Sequence, residues 1–482
     1  MASRPPALPR ERDTPAQAES APGREAAPAD AGQPSLVRGL GAWDAALITV
    51  GAVLGTGIFI TTGDMARVLP HPGLILLAWT LGGALTLAGA LTVSELGAMF
   101  PRAGGQYHYL KEAYGPLWGF LFGWTCFFVI MGGGIATLAV GFGEYLGSFL
   151  PVFSTKNVLF TAAPSGWAWS VNGGQVAGAL AIVVLTAINY FGVREGASVQ
   201  NAVTVVKIAS IVSLAVLGLV VDAPVAHPFA AAPLPEGRLL GAFGVAMIAV
   251  IWTYDGWYGF AFLAGETRRP GRDIPVGLIT GTLIITALYV VTALVYFRAL
   301  PVERMAQTGR IGEAAAAVLF GPIGARLVSL AVVLSTFGCI SATVLYAARG
   351  YLPMAQDGVF FQSMARIHPR YRVPSGCLLA QGAWSTLLTF TGTYEQLYTY
   401  VVFALFLFHA LTGAAVIVLR RTRPQQPRPY RTWGYPVVPL VFVLTAAALL
   451  VNTLVEKPVE SLIGLLLVAA GIPAFLWWRG TR

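Results

Sequence analysis

The chain has 482 residues, of which 56% are hydrophobic and only 11% charged. Soluble proteins carry about 25% charge, so a soluble globular fold is excluded, and the short alternating segments of a membrane β-barrel are absent. The net charge of +9 would suggest nucleic acid in a soluble chain; here the basic residues fall in alternate loops, which membrane topology explains, and no nucleic-acid partner is expected.

Residues 1–34 are rich in Pro and Ala, with scattered charges and no apolar signal-peptide core, and read as a disordered tail. Twelve apolar runs follow, at 43–69, 73–99, 117–148, 174–193, 199–221, 239–264, 276–299, 321–353, 374–391, 394–420, 434–455 and 459–478. Runs of that length cross the ~30 Å hydrocarbon of a bilayer as helices. The expected fold is an all-α polytopic membrane protein of about twelve transmembrane helices. With the N-terminus inside, the inner tails and loops hold 22 Lys and Arg and the outer side 8. The positive-inside rule then places both termini in the cytoplasm, in a cell (plasma or inner) membrane. The densest inner loop is "RRTRPQQPRPYRTWGYP", 420–436. Cys126, Cys339 and Cys377 lie in or beside apolar runs, so no disulfide framework is expected.

Two spans carry internal breaks. The first contains "GAVLGTGIFI" (51–60), with Gly55 and Gly57 flanking Thr56; the sixth contains "WTYDGWYGF" (252–260), with Asp255 and Gly256 in mid-span. Glycine alone favours close packing in membrane helices. Matching breaks in two halves point instead to a transporter built on an inverted repeat. A break at Gly55–Gly57 frees amide groups and a positive half-helix end, which favour a carboxylate. Carbonyls near Val53, and in mirror fashion near Trp252 and Thr253, are free to accept from a cation. An α-amino acid zwitterion has that charge pattern.

Other charges are fewer. Lys207 stands alone in "VTVVKIASIVSLAVLGLVV" (203–221), at a cost of about 2.5–3.5 kcal/mol on the insertion scale, and needs a partner. Asp255 has two readings: contact with a cationic group or proton, or a helix-end acid. Glu95 reads as an anchor to the loop that follows it, Glu266 as a contact of inner basic residues, and His409 as a packed histidine. "GGGIA" (132–136) reads as a close-packed stretch beside the substrate path. No metal-ligand spacing, phosphate loop or nucleophile–base pair is evident, so neither an enzyme nor a cofactor is expected.

Five stretches carry a resemblance: "GAVLGTGIFITTG", "VSELGAMFPRAGGQYHYLKEAYGPLWGFLFGW", "TYDGWYGFAFLAGETRRPGRDIP", "YAARGYLPMAQDG" and "IVLRRTRPQQPRPYRTWGYPVVP". Together, from Leu36 to Trp478, they resemble the amino acid–polyamine–organocation superfamily, most closely its L-type amino-acid transporter branch and bacterial relatives. The resemblance implies two inverted five-helix repeats, at 35–221 and 239–420, with a basic loop and two extra helices at 421–482. It implies sodium-independent amino-acid transport by alternating access. The Thr56 and Gly57 amides would hold the substrate carboxylate; Val53 and Trp252 carbonyls, with the backbone at Thr253 and Asp255, would face the amino group. Trp252 stands where the family has its aromatic gate. Its "WTYDGW" departs from the usual "FAYGGW" or "FAYDGW", which reshapes the pocket. Lys207 would replace a sodium ion, bound to carbonyls near Gly51–Gly55 and hydroxyls such as Ser341 or Thr343; a proton carrier and a snorkelling lysine are the alternatives. The loop 149–173 lacks the cysteine that links animal relatives to a partner, so no disulfide-linked subunit is expected. Rival functions are a proton-coupled symporter, a polyamine or organic-cation carrier, and a non-transporting sensor.

Overall fold

The computed structural model describes residues 36–162, 169–225, 229, 239–392 and 394–480; the expected tail at 1–34 lies outside them. The first span is two helices, α1 Ala42–Val53 and α2 Gly57–Val68, bent by 43°. Leu54 leaves helical geometry at ψ 79°, and the chain restarts after Thr56. The close approach here needs Gly55: a Cβ would lie 3.0 Å from Leu138 and 3.2 Å from Cys339 Sγ.

α3 (Pro72–Met99) starts with Pro in its first turn, where a missing N–H costs nothing. A short helix, α4 (Gln106–Tyr114), leads to the third span: α5 (Pro116–Thr125), a π-helical stretch at Cys126–Met131, and α6 (Gly132–Leu146). A two-stranded antiparallel hairpin follows, β1 (Val158–Ala162) with β2 (Trp169–Asn172), pairing Val158 with Asn172. The sequence pattern did not suggest it.

Next come α7 (Gly173–Tyr190), α8 (Val193–Val220) and α9 (Leu239–Tyr254). α9 breaks at Asp255–Tyr258 and continues as a 3-10 helix, Gly259–Glu266. Gly256 sits at φ +98°, which only glycine adopts without strain. α10 (Pro270–Ala299), the short α11 (Val302–Ala306) and α12 (Ile311–Gln356) follow; α12 is kinked at Gly321, φ +71°, beside Pro322. The last helices are α13 (Ser375–Thr389), α14 (Tyr394–Thr422), α15 (Val437–Glu456), and α16 (Pro458–Ala469) with α17 (Gly471–Gly480).

Among the described residues, ten helices are long and apolar enough to cross a membrane, and the bent α1–α2 pair makes an eleventh span. The ninth expected span is α13, which has 15 residues and so reaches about 22 Å at ~1.5 Å per residue. α1 packs on α10, α8 and α12; α6 packs on α7 and α12; α15 and α16 lie against α14. α9 packs on α2, α3 and α15, so the two broken spans lie side by side.

One end of the bundle collects the basic loops. Both Glu95 carboxyl oxygens bind Arg420, at 2.9 and 2.7 Å, and the Thr432 amide donates to Oε2 at 2.7 Å. Glu95 is thus an anchor, but to the 420–432 loop rather than to the loop directly after it: α14 and α3 pack side by side and bring that loop over the end of α3. Glu266 and Arg349, both buried, pair at 2.9 Å.

Candidate functional site

The two breaks meet. Thr253 Oγ1 lies 2.8 Å from Thr61 Oγ1, and a Cβ on Gly57 would fall 2.6 Å from Thr253 Cγ2 and Oγ1. A Cβ on Gly256 would lie 3.1 Å from the Ala52 carbonyl. Tyr289, on α10, donates its hydroxyl toward Val53 O at 2.9 Å and Thr253 O at 3.1 Å, so one phenol bridges both spans, and Val53 O, which also accepts from the Gly55 amide at 2.8 Å, is not the free carbonyl expected from the sequence. At the start of α2, the first amides have no carbonyl one turn back and their dipoles add to a positive end.

Between the breaks lies a cavity lined by Val53, Gly55, Gly57, Trp252, Thr253 and Asp255, with Gly134, Cys339, Thr343 and Tyr346 completing the wall. Its free room is about 30 Å³, far below the ≈ 300 Å³ at which ligand pockets begin. Every substrate-contact residue expected from the sequence except Thr56 lines it. Thr56 sits at the edge: its hydroxyl is 3.1 Å from Tyr394 Oη. Asp255 lines the cavity, and its Oδ1 is buried without a hydrogen-bond partner. An unpaired buried carboxylate oxygen is costly and is a place for a cation or proton.

Trp252 closes one side. Its Nε1 donates to Tyr394 Oη at 2.9 Å, and its ring stacks on Tyr398 with centroids 6.0 Å apart and planes at 16°. Beyond Tyr394 opens a second cavity of about 720 Å³, on the hairpin side, lined by Asp64, Glu144, Trp169 and Glu395. The opposite side is sealed by Phe262 stacked on Tyr346 at 6.0 Å, and farther out by Lys111 Nζ to Asp357 at 2.5 Å with Tyr107 Oη donating at 2.6 Å. Burial would raise the Asp357 carboxyl, but the Lys111 and Tyr107 hydrogen bonds outweigh it and hold it below the usual carboxylate range.

Lys207, 1% exposed, donates to Gly51 O at 2.9 Å and Leu54 O at 3.1 Å. The carbonyl partners are those expected; the hydroxyls are not. Ser335 Oγ donates to Leu54 O at 2.8 Å, whereas Ser341 receives Asn189 Nδ2 at 3.4 Å and Thr343 donates to Cys339 O at 2.9 Å. Helical phase explains the correction. Residues 335, 338 and 339 share one face of α12 at i, i+3 and i+4, and that face meets Lys207, since a Cβ on Gly338 would fall 2.9 Å from Lys207 Cε. Ser341 is turned away toward α7.

The sequence reading missed Tyr289, Tyr394, Tyr398 and Ser335. Tyr394 and Tyr398, four apart at the start of an apolar run, carried the one available signal. His409 is packed against Trp257, Tyr258 and Phe442, and Gly134 borders the Trp252 ring, 3.9 Å from where its Cβ would be.

A family model described as amino acid permease matches residues 40–475. The chain is 29% identical to the serine/threonine exchanger SteT of Bacillus subtilis, over 91% of this chain and 96% of that protein. It is 29% identical to the human b(0,+)-type amino acid transporter 1, over 91% of this chain and 87% of that one. It is 27% identical to the human large neutral amino acids transporter small subunit 2, over 92% and 82%.

Proposed function

The chain belongs to the amino acid permease family, and from that premise we propose that it is a sodium-independent amino-acid exchanger working by alternating access in a cell membrane, with both termini cytoplasmic. The observation that carries the proposal is the meeting of both helix breaks at one cavity, lined by Val53, Gly55 and Gly57 from the first and by Trp252, Thr253 and Asp255 from the sixth. The substrate carboxylate binds at the Thr56–Gly57 amides, and the ammonium faces the carbonyls of Val53 and Trp252, sharing them with the Tyr289 hydroxyl and the Gly55 and Asp255 amides that they already accept from. Residues 35–420 form the transport core of two inverted repeats, and 421–482 add the basic loop and an outer helix pair.

At about 30 Å³ the cavity is occluded, and an amino acid enters only as the Trp252–Tyr394 contact opens. The wide cavity on the hairpin side supports this face as the outer vestibule. Closure at the basic end by Lys111–Asp357 supports that end as the inner gate. Alternation exchanges one seal for the other.

Asp255 favours a second reading of the substrate. Its unpaired Oδ1 supports contact with a cationic side chain or a carried proton. Counterflow in proteoliposomes preloaded with single amino acids, with sodium and with choline outside, tests both. Exchange of neutral amino acids alone, indifferent to sodium, supports the exchanger; uptake of lysine or arginine adds the cationic role. Strict sodium dependence, or binding with no flux, overturns the proposal.

A further inference from the structure

A groove runs between α7 and α13 on the surface of the bundle. It is lined by Val183, Thr186, Tyr190 and Phe191 from one helix and by Leu379 and Ala383 from the other, and holds about 540 Å³. Ligand pockets span about 300–1,000 Å³. The walls are apolar and open: Val183 and Phe191 are each 56% exposed and Leu379 57%. In a bilayer such a wall meets acyl chains. Thr186, 6% exposed, adds one hydroxyl with no hydrogen-bond partner.

The end of the groove is different. Tyr190 packs on His368 at 5.3 Å and on Tyr371 at 5.9 Å, and Phe191 packs on Tyr371 at 5.4 Å. These rings hold the loop 366–372 against the groove. His368 Nδ1 accepts from the amides of Arg370 and Tyr371, each at 3.2 Å, which fixes the turn. Arg366, Arg370 and Arg372 are all exposed on this loop, and the Arg370 guanidinium lies 5.5 Å from the centre of the Tyr371 ring. No acidic residue occurs from 358 to 394 or from 145 to 194, the stretches that build the groove and its end. The apolar slot thus ends beside a loop that carries three exposed arginines, with no carboxylate in the same stretches of sequence.

We propose that the groove binds an anionic phospholipid, with an acyl chain between α7 and α13 and the phosphate-bearing headgroup against Arg370 and Arg372. An apolar slot by itself accepts any phospholipid. The arginines supply the preference for net negative charge, as juxtamembrane basic residues do, and their planar forks suit phosphate oxygens.

The test is native mass spectrometry of the full chain released from nanodiscs of equal phosphatidylglycerol and phosphatidylcholine. Wild type should retain phosphatidylglycerol over phosphatidylcholine. Replacing Arg370→Gln and Arg372→Gln together should cut that preference about 25-fold, roughly fivefold for each arginine near the surface, while leaving chain retention. Ala383→Trp, which fills the slot from its exposed wall, should reduce retention of both lipids. Unchanged phosphatidylglycerol preference in the double variant overturns the proposal, as does unchanged retention in Ala383→Trp. A dimer lost in Ala383→Trp would show that a second copy covers the groove, and would also overturn it.

Discussion

Trp252 Nε1 donates to Tyr394 Oη at 2.9 Å, and the same phenol oxygen lies 3.1 Å from Thr56 Oγ1. One hydroxyl from α14 therefore ties together the first broken span, the sixth broken span and a third helix. It does so at the boundary between the closed cavity and the wide vestibule. A buried hydrogen bond is worth about 0.5–1.5 kcal/mol, so this latch biases the closed state by a modest amount that substrate binding can work with.

Tyr394→Phe removes the latch and keeps the ring. We expect the closed state to lose about 1–3 kcal/mol, seen as a raised KM with a largely preserved maximal rate. Trp252→Ala removes ring and latch together and should both slow transport and admit larger amino acids. Unchanged kinetics in Tyr394→Phe, measured by initial uptake rates, would show that the contact is not part of the gate.

Gly57→Val should abolish uptake in a protein that still inserts and purifies as a single species. A Cβ there falls 2.6 Å from Thr253, and overpacking of this kind costs about 1–3 kcal/mol. The branched side chain also crowds the amides proposed for the carboxylate. Normal amino-acid affinity in Gly57→Val, read by thermal stabilisation with substrate, would remove the site from this position.

Asp255→Asn separates the two readings of that carboxylate. The sequence leaves both readings of Asp255 open. The unpaired Oδ1 in the cavity wall shifts the expectation to a charge partner. A hydrogen bond to a charged group contributes about 1.5–3 kcal/mol, so lysine and arginine uptake should fall about 10–150-fold with neutral amino acids much less affected. An equal, modest fall for all substrates would restore the helix-end role.

The breaks were legible in the sequence because Gly55, Gly57 and Gly256 interrupt apolar runs, and an interruption at matching places has few other meanings. Lys207 was legible because a lone charge in such a run demands partners. The hydroxyl beside it was misassigned, since choosing Ser335 over Ser341 needs the rotation of α12 about its axis. Tyr289 and the Tyr394–Tyr398 pair sit on helices far away in sequence, and only packing brings them to the cavity. The β-hairpin escaped because its strands are short and flank residues that no span pattern constrains.

Asp357 governs the proposed inner seal. Its carboxyl is held below the usual range, so the ion pair with Lys111 is present at ordinary pH. It is lost only as the pH falls below the carboxylate range, about 4. Uptake between about pH 5 and 8 should therefore show no step from this pair. The pair is partly exposed and worth about 0–1 kcal/mol. Asp357→Asn should favour the state open at the basic end and raise KM from the vestibule side by no more than about fivefold. A steep acid-side step near neutrality that vanishes in Asp357→Asn would contradict this assignment.

Lys207 gives the sharpest test of the mechanism. Its ammonium reaches Gly51 O and Leu54 O, the carbonyls left by the end of α1, while Ser335 on α12 donates to Leu54 O as well. The lysine thus joins α8 to the broken first span at a point that α12 also grips. Gly338 makes room for it: a Cβ there would lie 2.9 Å from Lys207 Cε and 2.5 Å from Val203 Cγ1. On the proposed reading, an ammonium bound to these carbonyls takes the place of a bound cation, and transport needs no sodium. Lys207→Ala should insert and fold yet lose most uptake, because the Gly51 carbonyl loses its donor, at about 1–3 kcal/mol, and the Leu54 carbonyl is left with Ser335 alone. Gly338→Ala should impair uptake partially by pressing on the stem while keeping the charge. Wild-type uptake should not change when choline replaces sodium. If instead net uptake collapses at alkaline pH while exchange persists, the lysine carries a proton rather than standing in for an ion. Strict sodium dependence of the wild type, or full transport by Lys207→Ala, would leave the ammonium a packing feature and nothing more.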